Sequence, residues 1–220
     1  MSVAVQEGFF ELGDFALQCG EVLAGARLGW KSFGTLAADK GNVILYPTCY
    51  GATHEDQEWT VGPGGILDAE KYFVVIVDMF GNGVSSSPSN HAAFPGLVTV
   101  ADNVRAQRRL LAQVFGVERL ACVYGFSMGA QQAYHWAALY PAAVERAVVV
   151  CGSAKTSVHN KVFLEGLLAV LEAAPEYSGN GRFSAVPHKA LRAFARVYAG
   201  WCMSQDFFRA GLHLLTASSL

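Results

Sequence analysis

The pentapeptide GFSMG at residues 125–129 constrains the fold more than any other stretch of this chain. An apolar, strand-like run at residues 120–124 leads into it, and an alanine-rich run with helical character follows at residues 130–139. A serine between two glycines at this spacing marks a sharp strand-to-helix turn that exposes the hydroxyl at the top of a sheet. Glycine is needed on both sides because the tight turn brings those positions against neighbouring backbone. The pattern predicts that Ser127 is a nucleophile.

The same turn is predicted to supply a group that binds negative charge. The amide of Met128 opens the predicted helix, where N–H groups of the first turn have no partner inside the helix. It points the same way as the Ser127 hydroxyl and can donate to an oxyanion that develops on a carbonyl oxygen. The alternative is a chance match in a flexible loop, and the flanking strand and helix argue against it.

Composition narrows the classes of partner. The chain has 220 residues, 52% of them hydrophobic and 15% charged, which is typical of a globular domain with a buried sheet. A net charge of −2 gives no reason to expect a polyanionic partner. The arginines at positions 105, 108 and 109 fall on one face of a predicted helix, and we interpret that face as solvated. Nucleic acid is therefore not an expected partner.

Cysteines and histidines give no sign of a metal or a disulfide framework. The five cysteines are scattered without a CxxC pair, and no secretory leader precedes them, which favours reduced thiols in the cytoplasm. They are Cys19, Cys49, Cys122, Cys151 and Cys202. The dense polar trio His54, Glu55 and Asp56 is interpreted as part of a surface loop. No apolar run is long enough for a membrane span, and no cluster of His and Cys has metal-ligand spacing. We therefore expect neither a membrane nor a metal partner.

Hydrophobic periodicity predicts the order of the elements. Residues 8–35 alternate apolar and polar side chains between glycine breaks, which predicts short antiparallel strands at a sheet edge. Residues 99–115 have the pattern of an amphipathic helix that begins at a Thr99 cap. Four apolar runs predict buried strands at residues 43–46, 72–77, 120–124 and 147–151.

Strands that alternate with helices predict an α/β fold, with a mostly parallel central sheet flanked by helices. Ligands of such sheets bind beyond the carboxyl ends of the strands. The loops at residues 47–53 and 78–87 follow predicted strands, as Ser127 does. These three segments are therefore expected to form the site.

Five sequence blocks resemble the α/β-hydrolase fold and, within it, the homoserine O-acetyltransferase group. The resemblance covers residues 8–200 and implies two-step acyl transfer, from acetyl-CoA as co-substrate to Ser127 and then to a hydroxyl acceptor such as homoserine. It implies no bound cofactor. The blocks are YPTCYGATH at 46–54, GPGGILDAEKYFVV at 62–75, FPGLVTVADNVRAQRRLL at 94–111, GFSMGAQQAYHWAALYP at 125–141 and VERAVVVCGSAKTS at 144–157.

The resemblance also implies roles for individual residues. Ser127 accepts the acyl group, and the backbone N–H groups of Met128 and Cys49 form the oxyanion hole. The Cys49 thiol is expected to be a bystander. Arg196, in the segment ARVYAGW, falls near the position of an arginine that holds the substrate carboxylate, a task suited to a guanidinium.

Some positions depart from the pattern of the group. Phe126 and Ala130 stand at the turn where glycines are usual, and Pro47 and Cys49 stand where a histidine and a leucine are usual. The chain therefore resembles a divergent branch, and homoserine is implied by the group alone. Hydrolysis of an ester or thioester on the same serine is the alternative reaction.

The rest of the triad is the open question. In this fold an acid and then a histidine follow the nucleophile, each after a further strand. Residues 153–220 show no such strands, and predicted helices at 162–173, 189–199 and 205–215 match a helical lid. We therefore expect residues 1–152 to form the amino-terminal part of the core and residues 153–220 a lid segment.

The acid and the histidine are accordingly expected beyond this sequence. His159, at the entry to the lid, is the in-chain alternative, whereas His135 is expected to point along its own helix, and His188 and His213 fall in lid helices. A catalytically incomplete fragment or pseudo-enzyme is therefore the non-enzymatic alternative. The expected partners are a small-molecule acyl donor and acceptor, and either a second copy in a homodimer or a polypeptide that supplies the missing portion.

Overall fold

The computed structural model describes residues 3–216, which separate after Ala154 into two compact units. The first unit contains a six-stranded sheet with the strand order β1-β2-β4-β3-β5-β6. The antiparallel pairs are β1 with β2 and β2 with β4, whereas β3 with β4, β3 with β5 and β5 with β6 are parallel. The strands are β1 (Val5–Ala16), β2 (Val22–Phe33), β3 (Val43–Pro47), β4 (Phe73–Val77), β5 (Cys122–Phe126) and β6 (Ala147–Val150).

Helices flank this sheet, as the sequence predicts. They are α1 (His54–Gln57), α2 (Val100–Val114) and α3 (Met128–Leu139), with short 3-10 helices at Glu58–Thr60 and Pro141–Ala143. Thr99 caps α2 as expected, because its hydroxyl accepts from the Asp102 amide while the Asp102 carboxylate accepts from the Thr99 amide. The predicted mostly parallel α/β fold is confirmed.

The four predicted buried strands are present with boundaries that differ by one or two residues, and two differences from expectation are larger than one residue. Residues 8–35 form two long strands of 12 residues each rather than several short ones, because the irregularity at Gly13 shifts the register without ending β1. Strand β5 begins at Cys122 rather than at residue 120, since Leu120 makes only an isolated bridge, to Val144.

The central strands are buried on both faces. Every residue of β3 and β4 is buried, and alternate side chains enter two separate clusters. Leu45 and Val75 belong to the larger cluster, which α2 and α3 cover, whereas Ile44 and Ile76 belong to the smaller one on the opposite face. The continuous apolar runs in the sequence have this physical origin.

Helix α2 is tied to β1 by its arginines, so the expectation of a merely solvated face is wrong for two of them. Arg105 Nη2 donates to the Ala16 carbonyl at 2.9 Å, and Arg109 Nη2 donates to the Leu12 carbonyl at 3.0 Å. Arg108 is exposed and lies over the ring of Tyr140, 4.1 Å from its centroid. These contacts fix the hairpin of β1 and β2 on the helix.

Asp102 should make the first unit sensitive to acid. The carboxylate is fully buried, and burial raises its pKa, but hydrogen bonds from Thr99, Arg105 and the Gln18 amide outweigh burial and leave the pKa below its usual value. A lowered folded-state pKa stabilises the fold above the unfolded pKa of about 3.9, and this contribution is lost as the pH falls through the lower folded value.

We therefore expect Asp102→Asn to reduce the free energy of unfolding by about 1–3 kcal/mol at neutral pH. The difference from the parent should shrink below about pH 4, where the parent carboxylate is protonated on unfolding. Urea unfolding at a series of pH values from neutral to acidic measures this difference in the free energy of unfolding. Glu21→Gln, at an exposed carboxylate, is the matched control and should follow the parent. A pH-independent difference would contradict the assignment.

The second unit, residues 155–216 of the described chain, is mainly helical. Its helices are α4 (Val158–Glu172), α5 (His188–Cys202), α6 (Gln205–Arg209) and α7 (Leu212–Thr216). The third predicted helix is thus broken, at Gly211 with φ 69°. An unexpected hairpin, β7 (Tyr177–Gly179) with β8 (Arg182–Phe183), turns at Asn180 and Gly181, which both have positive φ. None of the described helices has the length and apolarity that a membrane crossing requires.

Candidate active site

Ser127 occupies a strained turn between β5 and α3. Its backbone has φ 53° and ψ −116°, a combination that non-glycine residues rarely adopt. Its amide donates to the Val150 carbonyl at 2.9 Å, and its carbonyl accepts from the Ala130 and Gln131 amides at 3.0 and 3.2 Å. Strand β6 and the first turn of α3 therefore hold the strained conformation in place.

Glycines allow the close packing around this serine. A Cβ at Gly125 would overlap the Gly129 carbonyl and come within 2.6 Å of the Ala130 nitrogen. A Cβ at Gly129 would lie 2.6 Å from the Pro47 carbonyl oxygen, so the first turn of α3 rests directly on the end of β3. The two motif glycines thus have the role that the sequence predicts for them.

The Met128 amide is the first N–H of α3, directly after Ser127. No acceptor for it occurs among residues 3–216. The dipole of a helix favours negative charge at this end. The amide is thus free to donate to an anionic oxygen that forms beside Ser127.

The Cys49 amide follows β3, but it already has an internal acceptor. Its N–H donates to Gln57 Oε1 at 2.6 Å, and Gln57 is 4% exposed. The other amide atom, Gln57 Nε2, is buried without a hydrogen-bond partner in the described part of the chain. Burial raises the pKa of the Cys49 thiol, which disfavours the thiolate. Sequence reasoning missed Gln57 because nothing in its local pattern marks it.

A histidine–aspartate pair, with Asp78 buried and His54 partly buried, joins the loops that follow β3 and β4. His54 Nδ1 lies 2.6 Å from Asp78 Oδ2, and the His54 amide donates to Asp78 Oδ1 at 2.9 Å. Asn82 Nδ2 donates to the same oxygen at 2.8 Å, and Asp78 is fully buried. Glu55 and Asp56 are exposed, as expected for a surface segment, but residues 54–56 begin α1 instead of forming a loop. The pair fixes that helix to the end of β4. Within residues 3–216 no cluster of His, Cys, Asp and Glu is arranged to hold a metal ion.

Three further candidates from the sequence lie on helices α3, α4 and α5. Arg196 lies on α5 with an exposed side chain, and the His159 ring lies 4.9 Å from the Trp201 ring within the second unit. His135 Nδ1 is 2.9 Å from the Gln131 carbonyl, so the ring lies along its own helix as the sequence predicts. The structure gives the Ser127 hydroxyl no hydrogen-bond partner among the residues it describes.

Comparison with known proteins places this geometry in context. A family model described as the alpha/beta hydrolase fold matches residues 42–202. The chain is 40% identical over 218 residues to an ethyl acetate hydrolase of Pseudomonas veronii, an alignment that covers 94% of this chain and 62% of the relative. The crystal structure of an acetylester hydrolase from Corynebacterium glutamicum superposes with a TM-score of 0.88 at 35% identity, covering 94% of this chain and 61% of that one.

A second group of relatives matches at lower identity. A homoserine O-acetyltransferase of Rhodopseudomonas palustris is 33% identical over 202 residues, which is 80% of this chain and 49% of the relative. This chain therefore spans about half to six-tenths of the length of the relatives it matches.

Proposed function

The chain belongs to the α/β-hydrolase fold family, and from this membership we propose that it acts as a serine-dependent hydrolase of short-chain carboxylic esters such as acetates. The observation that carries the proposal is the strained turn at Ser127, which sets a partly exposed serine directly before the first amide of α3. The ethyl acetate hydrolase at 40% identity supports an ester as the substrate more strongly than the acetyltransferases at 33% support transfer.

The proposed reaction has two steps on Ser127. The serine oxygen forms a bond to the ester carbonyl carbon while its proton passes to a general base, and the resulting oxyanion accepts from the Met128 amide. Collapse of this intermediate breaks the bond to the alcohol, which leaves with a proton from the conjugate acid of that base. Water then attacks the acyl-serine in the same way and releases the carboxylic acid. The base is not assigned to any described residue.

The second oxyanion donor is proposed to be the Cys49 amide. A substrate oxygen that binds there takes the place of Gln57 Oε1, the present acceptor. Two backbone donors, one after β3 and one at the start of α3, are the usual arrangement of an oxyanion hole at this kind of turn.

Acyl transfer is the second candidate, and the homoserine O-acetyltransferase relatives favour it. It shares the acyl-serine and differs only in the second step, where the hydroxyl of an acceptor replaces water. In that case acetyl-CoA is the donor, and Arg196 is the proposed contact for an acceptor carboxylate. The two candidates therefore differ in product rather than in nucleophile.

A competition experiment separates them. The chain is incubated with p-nitrophenyl acetate or acetyl-CoA, each in the presence of homoserine, and the products are quantified by mass spectrometry. We expect acetate from the ester as the principal product, because hydrolysis needs only water at the acyl-serine. O-Acetylhomoserine as the principal product would replace hydrolysis by transfer. Absence of both products, with Ser127 unmodified, would favour a catalytically incomplete protein.

A further inference from the structure

A series of buried hydrogen bonds ends at the loop that follows β3, next to Cys49, and the proposed reaction does not use it. Trp136 Nε1 donates to Gln107 Oε1 at 2.8 Å, Gln107 Nε2 donates to Gln132 Oε1 at 2.6 Å, and Gln132 Nε2 donates to the Thr48 carbonyl at 3.0 Å. None of the four residues is more than 1% exposed. These hydrogen bonds connect α2, α3 and the loop that follows β3.

Stability alone is a poor explanation for this arrangement. Burying two glutamine side chains removes their amides from water, and the hydrogen bonds return only a modest net free energy. Apolar side chains of similar shape would fill the same space without that cost. A buried network in which these polar groups are satisfied instead fixes the groups at its ends in one geometry.

The end of the network is a peptide group of the candidate oxyanion hole. The carbonyl of Thr48 and the N–H of Cys49 belong to one planar trans peptide and point in opposite directions. When Gln132 holds the carbonyl, the direction of the Cys49 N–H is set as well. Thr48 is held twice more, because its amide donates to the Val77 carbonyl at 3.1 Å and its hydroxyl accepts from the Met79 amide at 3.0 Å.

Helix α3 thereby connects the two parts of the candidate site, Ser127 and the Thr48–Cys49 peptide. Ser127 is its capping residue and Gln132 lies five positions further on, with the first turn packed against the Pro47 carbonyl at Gly129. A rigid helix that begins at the proposed nucleophile and hydrogen-bonds the neighbouring peptide through Gln132 keeps the serine oxygen and the Cys49 amide at a fixed distance and direction from each other.

We propose that Gln132, supported by Gln107 and Trp136, is a positioning residue that orients the Thr48–Cys49 peptide so that its N–H serves the oxyanion of the ester reaction. This inference rests on the proposed function and on the role of Cys49 within it. Gln132 does not touch the substrate and acts through the peptide alone.

Gln132→Met tests the inference, because methionine keeps the length of the side chain and removes the donor. The rate of Ser127 acylation by p-nitrophenyl acetate, per folded molecule, is expected to fall about 100-fold, the usual consequence of losing or misplacing an oxyanion donor, whereas KM should change little. Gln131→Met is the matched control: it is the same substitution one residue earlier on α3, where the side chain makes no hydrogen bond among the described residues. Ser127 of this control variant should be acylated at the parent rate.

Gln132→Glu gives a readout that a purely structural role would not change. Burial raises the pKa of such a carboxyl group, and only its protonated form can donate to the Thr48 carbonyl. The acylation rate of this variant is therefore expected to recover as the pH is lowered, relative to the parent at each pH. It also keeps the inference testable where the methionine variant does not fold.

Amide exchange at Cys49 tests the geometry independently of activity. With ¹⁵N-labelled cysteine, Gln132→Met should shift the Cys49 amide resonance and speed its exchange with deuterium, whereas Gln131→Met should not. A parent chain that is not acylated contradicts the proposed function, and the exchange result then decides this inference alone. Acylation at the parent rate in folded Gln132→Met, or an unchanged Cys49 amide, would overturn it.

Discussion

Replacement of Ser127 by alanine is expected to abolish acylation of the chain by an activated acetate ester and, with a general base in place, to lower ester hydrolysis on the order of 10⁴-fold or more. In the proposed reaction the acyl bond forms on the serine oxygen, so its removal eliminates the intermediate. The oxyanion donors that remain can assist only a direct attack by water. Intact mass measurement after incubation with p-nitrophenyl acetate detects a single acetyl group on the parent and none on the variant.

Ser153→Ala is the control for this experiment, because Ser153 is an exposed serine outside the strained turn. It should be acylated like the parent. A stoichiometric adduct on Ser127→Ala would place the nucleophile elsewhere. An unmodified parent would show that no base operates on Ser127 in the 220-residue chain. An acylated parent would instead make His159 the next residue to substitute.

Gly125→Ala is expected to have the largest effect on stability, about 3 kcal/mol or more. The added methyl group would overlap the Gly129 carbonyl, a backbone group that cannot rotate away as a side chain can. The first turn of α3 also packs closely against the Pro47 carbonyl at Gly129, so the helix cannot shift freely. Urea unfolding, together with the yield of folded protein, measures the loss.

Gly96→Ala provides the comparison, since no atom lies within 4 Å of its added Cβ and its φ is not in the left-handed region. Its effect should stay within about 0.5 kcal/mol. Equal stability of the two variants would mean that α3 does not pack against β5 as closely as the structure has it.

The features that the sequence predicts well are local ones. The apolar runs of β3 and β4 show their burial on both faces, Thr99 and Asp102 together form the cap of α2, and the two glycines around Ser127 mark a turn that other residues cannot make. In each case the physical cause lies within a few residues of the pattern. The Asn180–Gly181 hairpin was predictable by the same rule and was missed, although this dipeptide is a strong hairpin signal.

The contacts that order the candidate site could not be predicted in this way. His54 and Asp78 are 24 positions apart, and Gln132 and Thr48 are 84 apart. No periodicity or spacing connects such residues, because the order of strands in the sheet brings them together. His54 of the polar trio at residues 54–56 was misinterpreted for this reason: its partner, Asp78, belongs to the loop that follows another strand.

The reaction type is a separate case. The sequence resemblance implied acyl transfer with ester hydrolysis as the alternative, and the more similar relatives support the alternative. The turn at Ser127 cannot distinguish the two, since both form the same acyl-serine. The departures at Phe126 and Cys49 were visible in the sequence and already separated this chain from typical homoserine enzymes.

The contact between Gln57 and Cys49 means that the resting site contains a competitor of its own. The amide oxygen of Gln57 is a tethered carbonyl, so in the proposed reaction an ester competes with it for the Cys49 amide at a high effective concentration. A neutral ester carbonyl gains little by the exchange, because one neutral acceptor replaces another. An oxyanion is a stronger acceptor than either and displaces the glutamine more readily. If the Cys49 amide is the second donor, this internal competition weakens substrate binding more than transition-state binding, which is the discrimination that catalysis requires.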